Sequence, residues 1–368
     1  MRKILYIGGF ELPDKNAAAQ RVMANAMLMR EMCFDVSFFG VSKDIKNAPP
    51  YVNDFSSFTI PYPTDIKQWY HHVTTFINVS EIIDRKPDYV VLYNFPSIAS
   101  LKILNACHKY GIKVIHDLTE WESSDGWDFR SIVRKLDIAF RMRYCMKRMD
   151  GIICISRYLY NYYKDFAKCI FVPPTVDLCN PKWNRDRVLT ASNKIKLVYA
   201  GNAGFGQKDR LDTIVESVLK HPNMQLDVIG MTKDQYVEGY GEIPIGADNI
   251  LFHGRVPHLE ALKAVQNADF QFLIRDNNLK NNAGFPTKFV ESISCCTPII
   301  ATLTSNIGDY LKDGFNGFVV SDSNSLDTVL DYITSLSPER IVAMKESCRS
   351  INNFDYHLYQ KEFSSIFV

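Results

Sequence analysis

The chain has 368 residues, 46% of them hydrophobic and 23% charged, with a formal net charge of +1. The length points to two domains and the composition to a soluble globular chain with real cores. The near-neutral balance excludes a global field suited to nucleic acid. No run of about 18 apolar residues occurs, so a spanning helix is not expected. The N-terminal "MRKILYIGGFELPDK" has an apolar run too short for a signal peptide. The nine cysteines show neither CxxC nor Cys/His metal spacing, and Cys295 and Cys296 sit inside an apolar helical run, which predicts core packing in a reducing, cytosolic setting.

In chain order, "KILYIGG" (3–9) is a β-type run ending in Gly8 and Gly9. A loop, the helical "NAAAQRVMANAMLMREM" and the strand "FDVSFFG" (34–40) follow, opening a doubly wound α/β domain. "PDYVVLYN" (87–94) and "GIKVIHDL" (111–118) add buried strands, with "SIASLKILNACHKY" as the helix between them. "DGIICIS" (150–156) is another strand, and "CIFVPPTVDL" (169–178) leads out of this half. The polar, proline-bearing "CNPKWNRDRVLTASN" (179–193) reads as a linker. The layout then restarts in "NKIKLVYAGNAGFGQKDRLDTIVESVLK" (193–220), again strand, glycine loop and helix. "MQLDVIG", "NILFHGRV" and "DFQFLIR" supply further strands, separated by helical stretches such as "HLEALKAVQNA". The expected fold is α/β: two Rossmann-like doubly wound domains facing across a cleft, with ligands beyond the strand C-termini.

Glycines at both strand-to-helix turns (Gly8 and Gly9; Gly201, Gly204 and Gly206) let a backbone approach a ligand closely, and a following helix N-terminus favours an anion. Neither loop is a strict GxGxxG or a GxxxxGK[ST]. With the Gly284–Phe285–Pro286 turn they point to a diphosphate ligand, and Lys208 lies where an ammonium can reach it. In "GFPTKFVES", Pro286 is suited to open a helix. Lys288 then falls in its first turn, where a cation is disfavoured by roughly 0.3–1 kcal/mol unless an anion binds there. Glu291 shares the face of Lys288. It is read either as an acceptor for sugar hydroxyls or as half of a surface ion pair. "VIHDLTEW" places His116, Asp117 and Glu120 at a strand end, the residue types that suit acid–base work on a ligand, although each is equally readable as a turn or capping residue. There is no DxD-type cluster, HExxH or GxSxG, so no metal is expected and charge on a departing diphosphate falls to Lys/Arg and helix termini.

These segments resemble the retaining GT-B nucleotide-sugar glycosyltransferases of glycosyltransferase family 4, over nearly the whole chain and most specifically from 195 to 320. "GFPTKFVESISCCTPIIAT…NIGDYLKDGFNGFVV" is similar to that family's P-x-K-x-x-E…G-x-P signature. "NILFHGRVPHLEALKAVQNADFQFL" is similar to its F-x-G…AD segment. The resemblance implies an acceptor-side domain at 1–178, with a C-terminal helix near 354–368 packing back on it, and a donor domain at 194–353. Glu291 would hold ribose hydroxyls. Amides around Ala283, Gly284 and Phe285 would meet the donor sugar and distal phosphate, and Pro286, Thr287 and Lys288 are counted among the donor-binding positions. Lys208 would lie on the diphosphate, the Gly254–Arg255–Val256 turn would border the base, and Gly201, Gly8 and Gly9 would close on the phosphates. His116 and Asp117 would stand near the sugar and acceptor.

Two positions depart from the pattern. Ala283 replaces the first of the family's paired glutamates, and Asn202 its phosphate arginine. Lys288 or Arg275 is the expected substitute charge. Between 130 and 148, Arg130, Arg134, Arg141 and Arg148 fall within roughly 40° of one another on an ideal helix. This stripe reads either as a solvated face or as a surface for an anionic membrane or a lipid-diphosphate acceptor.

The function expected from the resemblance is metal-independent, retaining transfer of a sugar from a UDP or GDP sugar to a hydroxyl of a glycan or polyprenyl-diphosphate-linked acceptor, in surface polysaccharide biosynthesis. The nucleotide sugar is then a substrate, and no cofactor is expected. The expected location is the cytoplasm, with peripheral contact at the inner face of the plasma membrane. The alternatives are a non-catalytic nucleotide-sugar-binding subunit and a GT-B-like sugar-nucleotide epimerase.

Overall fold

Short apolar runs form the strands of two sheets in the computed structural model. It describes the chain apart from residues 14–15, 123–125, 127, 193, 202–207, 244–246, 352 and 368, with 129 and 130 described by backbone alone. The chain divides into two units, Met1–Val176 with Ala283–Phe285 and Asp355–Val368, and Asp177–Asn282 with Pro286–Phe354.

The first unit runs β1 (Arg2–Gly8), α1 (Ala17–Glu31), β2 (Phe34–Ser42), β3 (Tyr51–Val52), β4 (Phe55–Pro61), α2 (Ile66–Thr74), α3 (Val79–Asp84), β5 (Tyr89–Tyr93), α4 (Ser97–His108), β6 (Lys113–Leu118), α5 (Phe129–Phe140), β7 (Gly151–Cys154), α6 (Arg157–Tyr163) and β8 (Cys169–Phe171). Its sheet has the order β3-β4-β2-β1-β5-β6-β7-β8. All pairs are parallel except β3 with β4. The central strands are apolar along their length because helices cover both faces. The order reverses at β1 and β5, the switch point where such sheets open a crevice. The C-terminal helix Gln360–Ile366 buries Phe363 and Ile366 in this unit's core with Ile4, Phe34 and Tyr89. Tyr356 N–H donates to the Val176 carbonyl at 3.1 Å.

The second unit runs β9 (Lys196–Ala200), α7 (Leu211–Leu219), β10 (Gln225–Ile229), α8 (Lys233–Tyr240), β11 (Ile250–Gly254), α9 (His258–Asn267), β12 (Phe270–Leu273), α10 (Leu279–Ala283), α11 (Thr287–Ser294), β13 (Ile299–Thr302), β14 (Gly317–Val320), α12 (Ser323–Thr334) and α13 (Pro338–Ser350). Its fully parallel sheet has the order β11-β10-β9-β12-β13-β14, the dinucleotide-fold order, with its switch point between β9 and β12.

The segment expected as a linker is packed into the second unit instead. Trp183 is fully buried and its Nε1 donates to the Asp177 carbonyl at 2.8 Å. Arg185 donates to the Ser294 carbonyl at 3.2 Å and Arg187 to the Cys295 carbonyl at 2.6 Å. Polar residues in this stretch thus saturate carbonyls at the ends of helices, a use that composition alone does not reveal.

Candidate active site

In the second unit, four side chains from separate elements meet at the β9/β12 switch point. Tyr199 stands on β9, Asp209 just before α7, Arg275 just past β12 and Lys288 in the first turn of α11. The Lys288 Nζ is ion-paired with Asp209 Oδ2 and lies 2.8 Å from the Tyr199 hydroxyl. The Arg275 Nε donates to Asp209 Oδ1 at 2.5 Å. The Tyr199 hydroxyl donates to Asp209 Oδ2 at 2.8 Å, and Arg210 N–H donates to the Ile274 carbonyl at 2.8 Å, fixing the Asp209 turn against β12.

The side chains of Lys288, Arg275 and Asp209 are 12%, 9% and 2% exposed. Two cations thus face one carboxylate, so within this trio one positive charge is in excess, and Glu291 one turn on adds its own attraction to Lys288. Burial opposes the Asp209 charge, but Lys288 and Arg275 outweigh it and hold its carboxyl well below the usual range. Burial also pulls Lys288 below its ordinary value, against the attraction of Asp209 and with repulsion from Arg275. The dipole of α11 adds positive potential at the same turn. An anion is the complementary ligand.

Helix α11 starts at Thr287, with Pro286 in the capping position. Gly201 has φ +146°, and a Cβ there would collide with the Lys288 side chain. The glycine therefore makes room for the lysine as well as for a turn. Lys208 is half-buried beside Asp209, and Asn202 lies outside the described residues. One turn beyond Lys288, Glu291 Oε1 is 3.0 Å from His258 Nε2, with side-chain exposures of 18% and 25%. Among the described residues, its other oxygen takes no hydrogen bond. Ala283, Gly284 and Phe285 are buried. Gly254 has φ +65° and turns the chain after β11. Arg255 is exposed, and Val256 lines a cavity of about 340 Å³ shared with Ile229, His253 and Glu260.

The first unit corrects the expected acid–base cluster. His116 and Asp117 are fully buried because adjacent positions on β6 face opposite sides of a sheet covered on both. Asp117 takes Arg21 Nε and Nη2 at 2.9 and 2.8 Å and Asn25 Nδ2 at 3.2 Å, and also pairs with the Tyr6 hydroxyl. It is the counter-ion of a buried arginine. His116 Nε2 accepts the Phe95 N–H at 3.2 Å, which requires that nitrogen unprotonated. Burial, with Arg141 nearby, pushes its pKa down to about 3.

Glu120 alone of the three stays half-exposed, 3.4 Å from Asn94 Nδ2. Asn94, at φ +42°, also accepts the Thr119 N–H at 2.9 Å, joining the ends of β5 and β6. Gly8 is required by strand packing, since a Cβ there would lie 2.7 Å from the Tyr93 Cβ. Gly9 is exposed with open space around it.

The arginine stripe is also corrected. Residues Arg141–Cys145 form a π-helical turn, whose i→i+5 bonding shifts the register after α5. Arg141 turns inward, 6% exposed. Arg134 pairs with Glu122 at 3.0 Å, and Arg148 stacks 3.5 Å above the Tyr144 ring. The Arg130 side chain lies outside the described residues.

Sequence reasoning missed Asp209, Tyr199, His258, Asn94 and Arg21. Arg21 left a signal: a cation inside the apolar run "AAAQRVMANAM", one turn before Asn25, announces a buried partner.

Residues 183–353 match the family described as Glycosyl transferases group 1. The uncharacterized glycosyltransferase MJ1178 of Methanocaldococcus jannaschii is 22% identical over 197 residues, covering 50% of this chain and 49% of that relative. The chain thus aligns with about half the length of this curated relative. Sucrose-phosphate synthase from Thermosynechococcus elongatus superposes with a TM-score of 0.71 at 14% identity, covering 100% of this chain and 98% of that one. Anabaena Alr3699/HepE, solved in complex with UDP and glucose, gives 0.69 at 11%, covering 99% and 98%. The fold is GT-B, two parallel-sheet Rossmann-like domains. The group 1 domain at 183–353 supports a glycosyltransferase.

Proposed function

We propose that the chain transfers a sugar from a nucleoside-diphosphate donor, a UDP or GDP sugar, to a hydroxyl of a glycan or lipid-linked acceptor in surface polysaccharide synthesis, with retention at the anomeric carbon. The observation that carries the reading is the buried surplus cation at the β9/β12 switch point, where Lys288 and Arg275 share Asp209. A diphosphate supplies the missing negative charge. As the bond from the anomeric carbon to the phosphate oxygen breaks, charge grows on that oxygen, and preformed cations stabilise it without reorganising. Glu291, steadied by His258, takes two vicinal ribose hydroxyls. Lys288, Arg275, Lys208 and the α11 dipole hold the diphosphate with no call on a divalent ion. In the first unit by itself, Glu120 and Asn94 stand at the C-terminal edge of the sheet, where hydroxyls can be met.

The complex of Alr3699/HepE with UDP and glucose is consistent with this donor class. A binding-only subunit is the second reading. It is favoured by Ala283, which offers no carboxylate where related transferases carry one.

The test is incubation with a panel of nucleotide sugars in EDTA, following free nucleoside diphosphate. Release above the uncatalysed rate supports transfer. Donor binding without release, with acceptor glycans present, selects the second reading, and a requirement for a divalent ion removes the metal-independent mechanism.

A further inference from the structure

Three rings meet at the C-terminal edge of the first unit's sheet. Trp121 follows the end of β6, and Tyr158 and Tyr162 share one face of α6 at i, i+4 spacing. The Trp121 ring lies 5.0 Å from that of Tyr162 and 6.5 Å from that of Tyr158, edge to face at 79° and 73°. Tyr162 is in turn edge-on at 4.8 Å to Tyr163, a fully buried ring whose hydroxyl donates to the Met142 carbonyl at 2.6 Å. The cluster is thus anchored to the core on one side. On the other, Tyr158 is 42% exposed, and Trp121 and Tyr162 are half-buried. Rings already held in place lose little freedom when a ligand settles on them.

What surrounds the rings sets the ligand. Glu120 and Glu122 flank Trp121 in the chain and are half-buried. Glu120 lies 3.4 Å from Asn94 Nδ2, and Glu122 pairs with Arg134 at 3.0 Å. A pyranose ring matches this combination. Its C–H face is apolar and suits an aromatic ring, while the hydroxyls at its rim donate to carboxylates. A nucleobase could stack too, but its phosphates would meet two carboxylates of which Arg134 neutralises one. Three half-covered rings also fall short of the roughly 800 Å² per partner that a stable protein interface needs.

Position ties the rings to the transfer reaction. The N-cap of α6 is Ser156, whose hydroxyl donates to the Ala283 carbonyl at 2.6 Å. The turn Ala283–Phe285 belongs to the first unit, and its amides are the ones expected to meet the donor sugar. We infer that Trp121, with Tyr158 and Tyr162, is a stacking platform for a pyranose ring of a glycan, which in the sugar-transfer reading is the acceptor. The inference rests on that reading only for the role of the glycan, since the stacking is measured without turnover.

The full chain is applied to a printed array of defined oligosaccharides, with and without saturating UDP. The oligosaccharide it holds best is then titrated calorimetrically into the wild type and three variants, each checked for folding by circular dichroism. Trp121→Leu, which keeps apolar bulk without a ring, is expected to bind at least about tenfold more weakly. Trp121→Tyr, which keeps a ring, is expected to stay within about threefold of the wild type. Tyr158→Ala, at the more exposed position, is expected to lose about threefold or more, and it carries the test if Trp121→Leu does not fold. No oligosaccharide bound by the wild type, or wild-type affinity in Trp121→Leu and Tyr158→Ala, would overturn the inference. So would Trp121→Tyr binding as weakly as Trp121→Leu, or a dimer seen by light scattering that Trp121→Leu splits. Binding through Trp121 with no nucleoside diphosphate released from any nucleotide sugar would support the platform and remove the transfer reading.

Discussion

Lys288 and Arg275 hold opposite oxygens of one carboxylate, that of Asp209, although Lys288 lies 79 residues from it along the chain. The arrangement is neutralised only in part, and that determines how its variants behave. Asp209→Asn leaves two buried cations side by side, a change expected to cost about 3–5 kcal/mol of stability. An anion should restore part of it. In thermal denaturation, Asp209→Asn is expected to melt lower than the wild type and to gain more from added pyrophosphate. A variant that gains less than the wild type would show that the cations do not face an anion site.

Glu291 and His258 form a partly exposed pair whose second carboxylate oxygen takes no hydrogen bond among the described residues. Glu291→Gln keeps the shape but weakens acceptance from two hydroxyls. A loss of roughly 1–3 kcal/mol corresponds to about fivefold to 150-fold in nucleotide affinity. The effect is expected in KM more than in kcat, and the melting temperature should move little. The same variant tested with a 2′,3′-dideoxyribose nucleotide should match the wild type.

Asp117 reads as a catalytic acid in the sequence and as a structural anion in the fold. Asp117→Asn removes the only charge paired with the buried Arg21 guanidinium among the described residues, leaving it neutral acceptors such as the Val172 and Pro173 carbonyls, and is expected to cost about 3–5 kcal/mol. Denaturant titration checks this directly. Near-native stability with abolished turnover would instead return Asp117 to a catalytic role.

His116 gives a pH signature. Its folded pKa is pushed down to about 3, whereas an unfolded histidine titrates near 6.5. Between those values the unfolded chain binds a proton that the folded chain refuses. The stability contribution is therefore fully present above about pH 6.5 and is lost as the pH falls towards 3, at up to about 1.4 kcal/mol per pH unit. His116→Gln keeps an acceptor for the Phe95 N–H and removes the titration. Its stability between pH 7 and 5 is expected to fall less steeply than that of the wild type, as read by denaturant midpoints.

The central strands were legible because strands of a parallel sheet covered on both faces are continuous apolar runs ended by turn residues. The stretch 43–86 was not. Strands β3 and β4 lie at the edge of the sheet, and α2 carries a helical period without a core to face, so neither matched the pattern of a buried element. At the candidate site, Lys288, Arg275 and Glu291 were readable from residue type and turn chemistry. Asp209 was not, because "KDRLD" looks like an ordinary acidic helix start and its partners arrive through sheet topology. His116 and Asp117 misled for the opposite reason. Reactive side chains at a strand end look functional until both faces of the strand prove to be covered. The arginine stripe failed where a π turn broke the period on which it was drawn.

The central claim is that Lys288 and Arg275 at the β9/β12 switch point bind the diphosphate of a nucleotide. Calorimetric titration of UDP and GDP into the wild type and into Lys288→Met tests it most directly. The account predicts that the wild type binds at least one of them, and that Lys288→Met, while still folded by circular dichroism, binds it about tenfold or more weakly. Equal affinity in the two proteins, or no binding of either nucleotide by the wild type, would contradict it.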